Sequence, residues 1–186
     1  EYGKSYKYGK NIIAFKALEK NISNLIEIDI KKIEQGYEIE ILVIEELFKI
    51  ELNTKTGKKF YLKGKMDRVQ EEDGVLHVLD YKTGNIEPNK LTFTDNEDII
   101  QNKKTNIIQL ACYNLIVSSI LNSNKLFKSG IISFKHINQG TLWMKEKISF
   151  KERKDVFNEE DLKNFENLVY EIVEDIHDVN STFKNE

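Results

Sequence analysis

An α/β (α+β) domain, built as a central mixed β-sheet flanked by helices, is what this sequence predicts, on three observations. Two runs of alternating apolar and polar residues, ending in Val69 and starting at Val75, are separated by Glu72-Asp73-Gly74 and read as antiparallel strands joined by a tight turn. The stretch Asn106 to Ile116 carries the amphipathic spacing of a helix. Leu162, Phe165, Leu168, Val169, Ile172, Val173 and Ile176 recur at three-and-four spacing, the mark of a second, core-covering helix. A chain of 186 residues suits one domain spanning 1–186, and no internal repeat divides it.

In chain order the pattern reads as a helix over about 9–35, continuous or broken, then strands near 39–52, 59–70 and 75–83. A helix over 106–121 follows, then strands over 129–137 and 141–149, and a last helix over 159–178. Asn158 or Asp155 is available to cap that last helix. Between the third strand and the second helix, Pro88 and the polar stretch Glu87 to Thr105 read as one long loop. A single proline, 40% hydrophobic residues and 32% charged residues describe a folded domain rather than a linker.

The chemistry concentrates on the hairpin. Its register can set Asp67 beside Asp80, and the period of two along a strand points Asp80 and Lys82 one way, Leu79 and Tyr81 the other. On an exposed sheet face this is a salt bridge of little worth. Val75, Val78 and Leu79 instead suggest a covered central strand, where a carboxylate requires a partner. Mg²⁺ or Mn²⁺ is such a partner, because a hard cation takes oxygen ligands and needs only one or two carboxylates beside water and phosphate. A metal-dependent phosphodiesterase is the chemistry this pattern favours. Glu45 and Glu46 are adjacent, so only one can face such a site; Glu45 is the candidate, against two ordinary solvated glutamates. Gln109 and Tyr113 stand four apart on one helix face, either bordering the site or simply bonding each other.

The blocks Gly64-Lys65-Met66-Asp67-Arg68, Asp80-Tyr81-Lys82-Thr83-Gly84 and Gln109 with Tyr113 occur in this order. They resemble the PD-(D/E)XK nuclease superfamily, and more closely its RecB/AddB-like branch, from bacterial double-strand-break repair. The resemblance covers about residues 22–137. It implies a restriction-endonuclease-like fold, with Asp67, Asp80, Lys82 and Glu45 as catalytic residues. It further implies Asp67, Asp80 and the Tyr81 backbone carbonyl as metal ligands, and Gln109, Tyr113, Arg68 and Thr83 as contacts to DNA. The polar loop after Lys82 would then rim a DNA groove or be a plain surface excursion. The same likeness implies a helicase or AddA-like partner subunit and a C-terminal fragment of an AddB-like repair protein. Two alternatives stay open: a catalytically inactive nuclease fold that binds DNA or protein, and a phage-type or CRISPR-associated exonuclease.

One part of that branch's pattern is missing. Its upstream helix carries a metal-binding histidine in a Gly-x-x-x-His context, whereas Gly9 is followed here by Lys10, Asn11, Ile12 and Ile13. The histidines present, His77, His136 and His177, read as structural or surface residues. Some relatives add an iron–sulfur cluster, which takes about four thiolates. The single cysteine, Cys112, cannot hold one within this chain and reads as a small buried hydrophobe. One cysteine and no apolar run long enough for a membrane span lead to the expectation of a cytoplasmic protein with no membrane partner. With 28 basic and 31 acidic residues the net charge is −3, so DNA contact would rest on local clusters. Lys55, Lys58, Lys59, Lys63 and Lys65, with Lys103 and Lys104, form either such clusters or a solvated hairpin.

Overall fold

Asp73 and Gly74 both adopt positive φ, 49° and 82°, which is the backbone a two-residue hairpin needs to match the twist of its strands. That turn organises the fold, because it sets β2 (Lys59–Glu72) antiparallel to β3 (Val75–Lys82) in the register Arg68 to Leu79. The structure is a computed structural model that describes residues 9–54, 56–121 and 124–178, so Lys55 lies outside the described residues. The strand β1 (Ile39–Asn53) pairs antiparallel with β2 on the outer side. On the inner side β5 (Phe127–Ser133) pairs parallel with β3, and β6 (Leu142–Trp143) closes the sheet antiparallel to β5. The order β1-β2-β3-β5-β6 is the mixed sheet expected, with β3 at its centre.

Both faces of β3 are covered. Leu76 and Val78, with Val69, Phe127 and Ile131 on neighbouring strands, pack against Ile107, Leu110, Ala111 and Ile116 of α3 (Thr105–Leu121). That layer continues into Phe157, Phe165 and Leu168, the last two on α4 (Glu159–His177). On the opposite face Leu79, Ile132 and Ile137 form a smaller core beneath Leu25 of α1 (Lys10–Glu34). Each fully buried Leu, Ile or Phe contributes about 1.5–3 kcal/mol of transfer free energy, so the α3 face carries most of the stability. Asn158 is the cap of α4: its Oδ1 accepts from the N–H groups of Glu160 and Asp161, and Asp161 Oδ2 accepts from the N–H of Asn158 at 2.7 Å.

Three elements differ from the sequence expectation. The stretch 87–105 is not a bare loop: it holds a 3-10 turn at Pro88–Leu91, β4 (Thr92–Phe93) and α2 (Asn96–Gln101). Leu91, Phe93 and Ile99 are buried there, three anchors too irregularly spaced to stand out in a polar segment. The strand expected over 129–137 stops at Ser133, because 3-10 turns with a kink at His136 carry the chain to Gly140. The strand expected over 141–149 breaks at fully buried Met144. Beyond it β7 (Lys145–Lys147) leaves for a small second sheet with β4 and β8 (Arg153–Lys154). No described helix is long and apolar enough to cross a membrane.

Two outcomes follow. A Cβ on Gly130 would meet Leu142 O at 2.8 Å and Trp143 Cε3 at 2.9 Å, so Gly130→Ala should cost about 1–3 kcal/mol in a urea melt. An unchanged midpoint would contradict the β5–β6 pairing. Burial pushes the Cys112 thiol up to about 11. In the native protein it should therefore react with an aromatic disulfide reagent at least about tenfold more slowly than in denaturant.

Candidate active site

The β2–β3 ladder ends at Arg68 and Leu79, and the next residues on the two strands are Asp67 and Asp80. There the strands part. The N–H of Tyr81, freed from pairing with β2, donates to Asp67 Oδ2 at 2.7 Å, so the end of one strand is tied to a carboxylate of the other. Asp80 follows Leu76 and Val78 on the α3 face and is 3% exposed. Two carboxylates thus adjoin at a point where the sheet opens.

Three side chains complete the cluster. Lys82, two residues after Asp80, places Nζ 3.0 Å from Asp80 Oδ2 and donates to Gln109 Oε1 at 3.0 Å. Gln109 Nε2 donates to Asp80 Oδ1 and to the Tyr113 hydroxyl, each at 2.8 Å. The Tyr113 hydroxyl donates in turn to the Lys65 carbonyl at 2.8 Å. This chain settles the amide's orientation, since only oxygen toward the ammonium and nitrogen toward the carboxylate satisfies every partner. The helix can approach this closely because residue 64 is glycine: a Cβ there would lie 2.8 Å from Tyr113 Cε1.

Burial raises the Asp80 carboxyl above its ordinary value of 3.8, Lys82 pulls it back, and Asp67 raises it again. Although Lys82 Nζ is close, Asp80 Oδ2 receives no aligned hydrogen bond from any group of the protein. A buried, raised carboxylate with an open oxygen beside a second carboxylate suits a hard cation. No group of three or more His, Cys, Asp or Glu able to hold a metal occurs among the described residues. Two carboxylates are nevertheless a sufficient protein contribution for an ion that keeps water and substrate oxygens as its remaining ligands.

The other expected residues are placed as follows. Glu45 on β1 stands opposite Asp67 of β2, between the pairs Ile44–Arg68 and Glu46–Met66, with φ of 53°. Its exposed carboxylate pairs with Lys65 of β2 and stands two strands away from Asp80. Arg68 is not brought to this site: it points to the opposite face of the sheet, 5% exposed, and donates to Asp29 Oδ2 at 2.7 Å. Thr83 lies exposed just past the end of β3. Lys65 was singled out only as part of a basic cluster, yet its ammonium lies close enough to Glu45 and then Asp67 to be held above its ordinary value. The signal was available, because residues 65 and 67 share a strand face. Lys104 is spent on Asp98 at 2.7 Å and the Thr92 carbonyl at 2.6 Å, and Lys59 pairs with Glu51 at 2.6 Å. His77 is held neutral by burial, down to about 4, on the face opposite Asp80.

The sequence pattern of the PD-(D/E)XK nuclease superfamily matches residues 15–185, and the chain belongs to that superfamily. Its members are typically metal-dependent nucleases, so membership points to a nuclease-type function, which implies DNA as the substrate. A search among curated proteins finds no match.

Because the Asp80 carboxyl is raised on folding, it favours the folded state below pH 3.8, and that contribution is lost as pH rises through the raised value. In metal-free buffer Asp80→Asn should therefore unfold at a higher temperature than wild type at pH 7, with the gap closing toward pH 4. A variant less stable at pH 7 would mean that the Lys82 contact outweighs desolvation.

Proposed function

We propose that this member of the PD-(D/E)XK nuclease superfamily is a Mg²⁺-dependent deoxyribonuclease of the RecB/AddB-like kind, acting in the repair and recombination of broken DNA. The observation that carries the reading is the convergence of three separate sequence blocks on one point. Asp80 and Lys82 from the second block and Gln109 with Tyr113 from the third are joined by successive contacts of 2.8–3.0 Å around Asp80, and Asp67 from the first is tied to the same strand end by the Tyr81 N–H at 2.7 Å.

Asp67 and Asp80, with the Tyr81 carbonyl, would hold the ion. A bound divalent ion supplies a lowered pKa for the attacking water and positive charge against the phosphate oxygens. Lys82 provides the second positive charge, where the pentacovalent transition state gathers negative charge, and orients the water. Gln109 keeps the Lys82 ammonium aimed and holds Asp80 Oδ1, leaving Oδ2 for the ion. Tyr113 locks Gln109 by giving its own proton to the Lys65 carbonyl, so its oxygen can only accept from the amide. A helicase or AddA-like partner subunit would supply unwound DNA and most of the affinity for it, consistent with a net charge of −3.

The test is cleavage of labelled single- and double-stranded DNA with Mg²⁺ or Mn²⁺, alongside metal binding by calorimetry. Asp67→Ala and Asp80→Ala should lose metal binding. Lys82→Ala should keep it, and all three should lose cleavage by about 10²- to 10³-fold. Gln109→Ala should bind metal and cut about ten- to a hundredfold more slowly, because Gln109 positions Lys82 and Asp80 without itself holding the ion. Metal binding without cleavage by the wild type would point to a missing histidine or partner subunit, and no metal binding at all would favour an inactive interaction module. Cleavage that survives Lys82→Ala or a chelator would overturn the mechanism.

A further inference from the structure

Behind the sheet, on the face away from Asp80, α1 bridges a cavity of about 170 Å³ walled by Leu25, Ile28, Arg68, Gln70, His77 and Trp143. Polar groups are concentrated there without partners. Arg68 donates from Nη1 to Asp29, but its Nε and Nη2 are buried and hydrogen-bonded to nothing in the protein. Gln70, 2% exposed, donates from Nε2 to Glu72 Oε2 at 2.9 Å and leaves Oε1 equally without a donor. His77 Nδ1 lies 3.4 Å from Glu72 Oε2 with no aligned bond. An orphaned buried polar group costs about 1–3 kcal/mol, and more where it carries charge, so several on one wall call for an occupant.

The unpaired atoms state what the occupant must offer. Nε and Nη2 form one edge of the guanidinium, the fork that takes two oxygens of a phosphate or carboxylate. Gln70 Oε1 asks for a hydrogen on the same molecule. The neighbouring carboxylates are already engaged: Asp29 holds Arg68, and Glu72 takes both the Lys32 ammonium at 2.8 Å and the Gln70 amide. Lys128 lies 4.8 Å over the Trp143 ring with its charge paired to Asp155 at 3.2 Å, so the Arg68 guanidinium is the cation the cavity offers. The Tyr81 phenol is a hydrogen-bonding neighbour of the guanidinium, although no aligned bond reaches Nε or Nη2.

We infer that this cavity is a binding site for a phosphoryl group that retains a hydroxyl, with two oxygens on the Arg68 fork and its P–OH on Gln70 Oε1. Inorganic phosphate and the end of a small phosphate monoester present the same group. The site stands back to back with the carboxylate pair, since Arg68 adjoins Asp67 on β2 and Tyr81, whose N–H donates to Asp67 Oδ2, has its phenol beside the Arg68 guanidinium.

The test is phosphate titration followed by ³¹P and ¹⁵N nuclear magnetic resonance, in chelator so that no metal gathers phosphate at Asp67 and Asp80. Inorganic phosphate and ribose 5-phosphate are the two arms, and saturable binding of either supports the site, with the tighter one naming the source. The Gln70 side-chain amide of the wild type should shift on addition. Affinity should fall at least about tenfold, the 1.4 kcal/mol equivalent, in Arg68→Gln and in Ile28→Trp, which fills the cavity from half-buried α1 without touching the Arg68–Asp29 pair. Lys82→Ala should bind as wild type does. Binding of neither arm, an unmoved Gln70 amide, or binding lost in Lys82→Ala and kept in Ile28→Trp would overturn the assignment, even where Arg68→Gln fails to fold.

Discussion

The structure turns on a carboxylate held where water cannot solvate it. Asp80 sits on the central strand of a five-stranded sheet, 3% exposed, with its pKa raised by that burial. An ionised group in such a place is tolerated only when its surroundings answer it. Within the protein the answer comes from Lys82 on the same strand and Gln109 on the covering helix, whereas Asp67, across the parting of two strands, adds a like charge that a cation would offset. Remove the helix or the close approach at Gly64, and the carboxylate loses a partner.

The two faces of the sheet divide the work. On the α3 face apolar layers from Val78 outward give way to the Asp67–Asp80 pair at the strand ends, so the stability of the core and the chemistry of the site share one helix. On the α1 face the core is small and polar groups intrude: Arg68, Gln70, Glu72 and His77 lie on the buried side of β2 and β3. Period two along the strands produces this division directly, because Arg68 and Leu79 alternate with Asp67 and Asp80.

What could be read in the sequence was what short-range geometry dictates. The Asp73-Gly74 turn fixes register, register fixes the pairing of Asp67 with Asp80, and the i, i+4 spacing puts Gln109 with Tyr113; each step involves residues near in sequence or near a turn. The long first helix and the last one were legible for the same reason. The failures have a common physical origin too. Leu91, Phe93 and Ile99 are buried by distant parts of the fold, and the break at Met144 is made by two sheets competing for one segment; neither leaves a local period. Arg68 follows Asp67 in the motif, yet alternation carries it to the far face, where Asp29, some forty residues earlier, is its partner. No spacing announces that pair. The same alternation, applied to residues 65 and 67, would have drawn attention to Lys65.

The most direct test of the central claim is the position of a bound ion. Crystals soaked in Mn²⁺ and measured at its absorption edge should give one anomalous peak between Asp67 and Asp80, next to the Tyr81 carbonyl, that disappears in Asp80→Ala. No peak in that gap, or a peak confined to the Glu45–Lys65 side or to the α1 face, would contradict the account of Asp80 as a carboxylate kept buried for a metal.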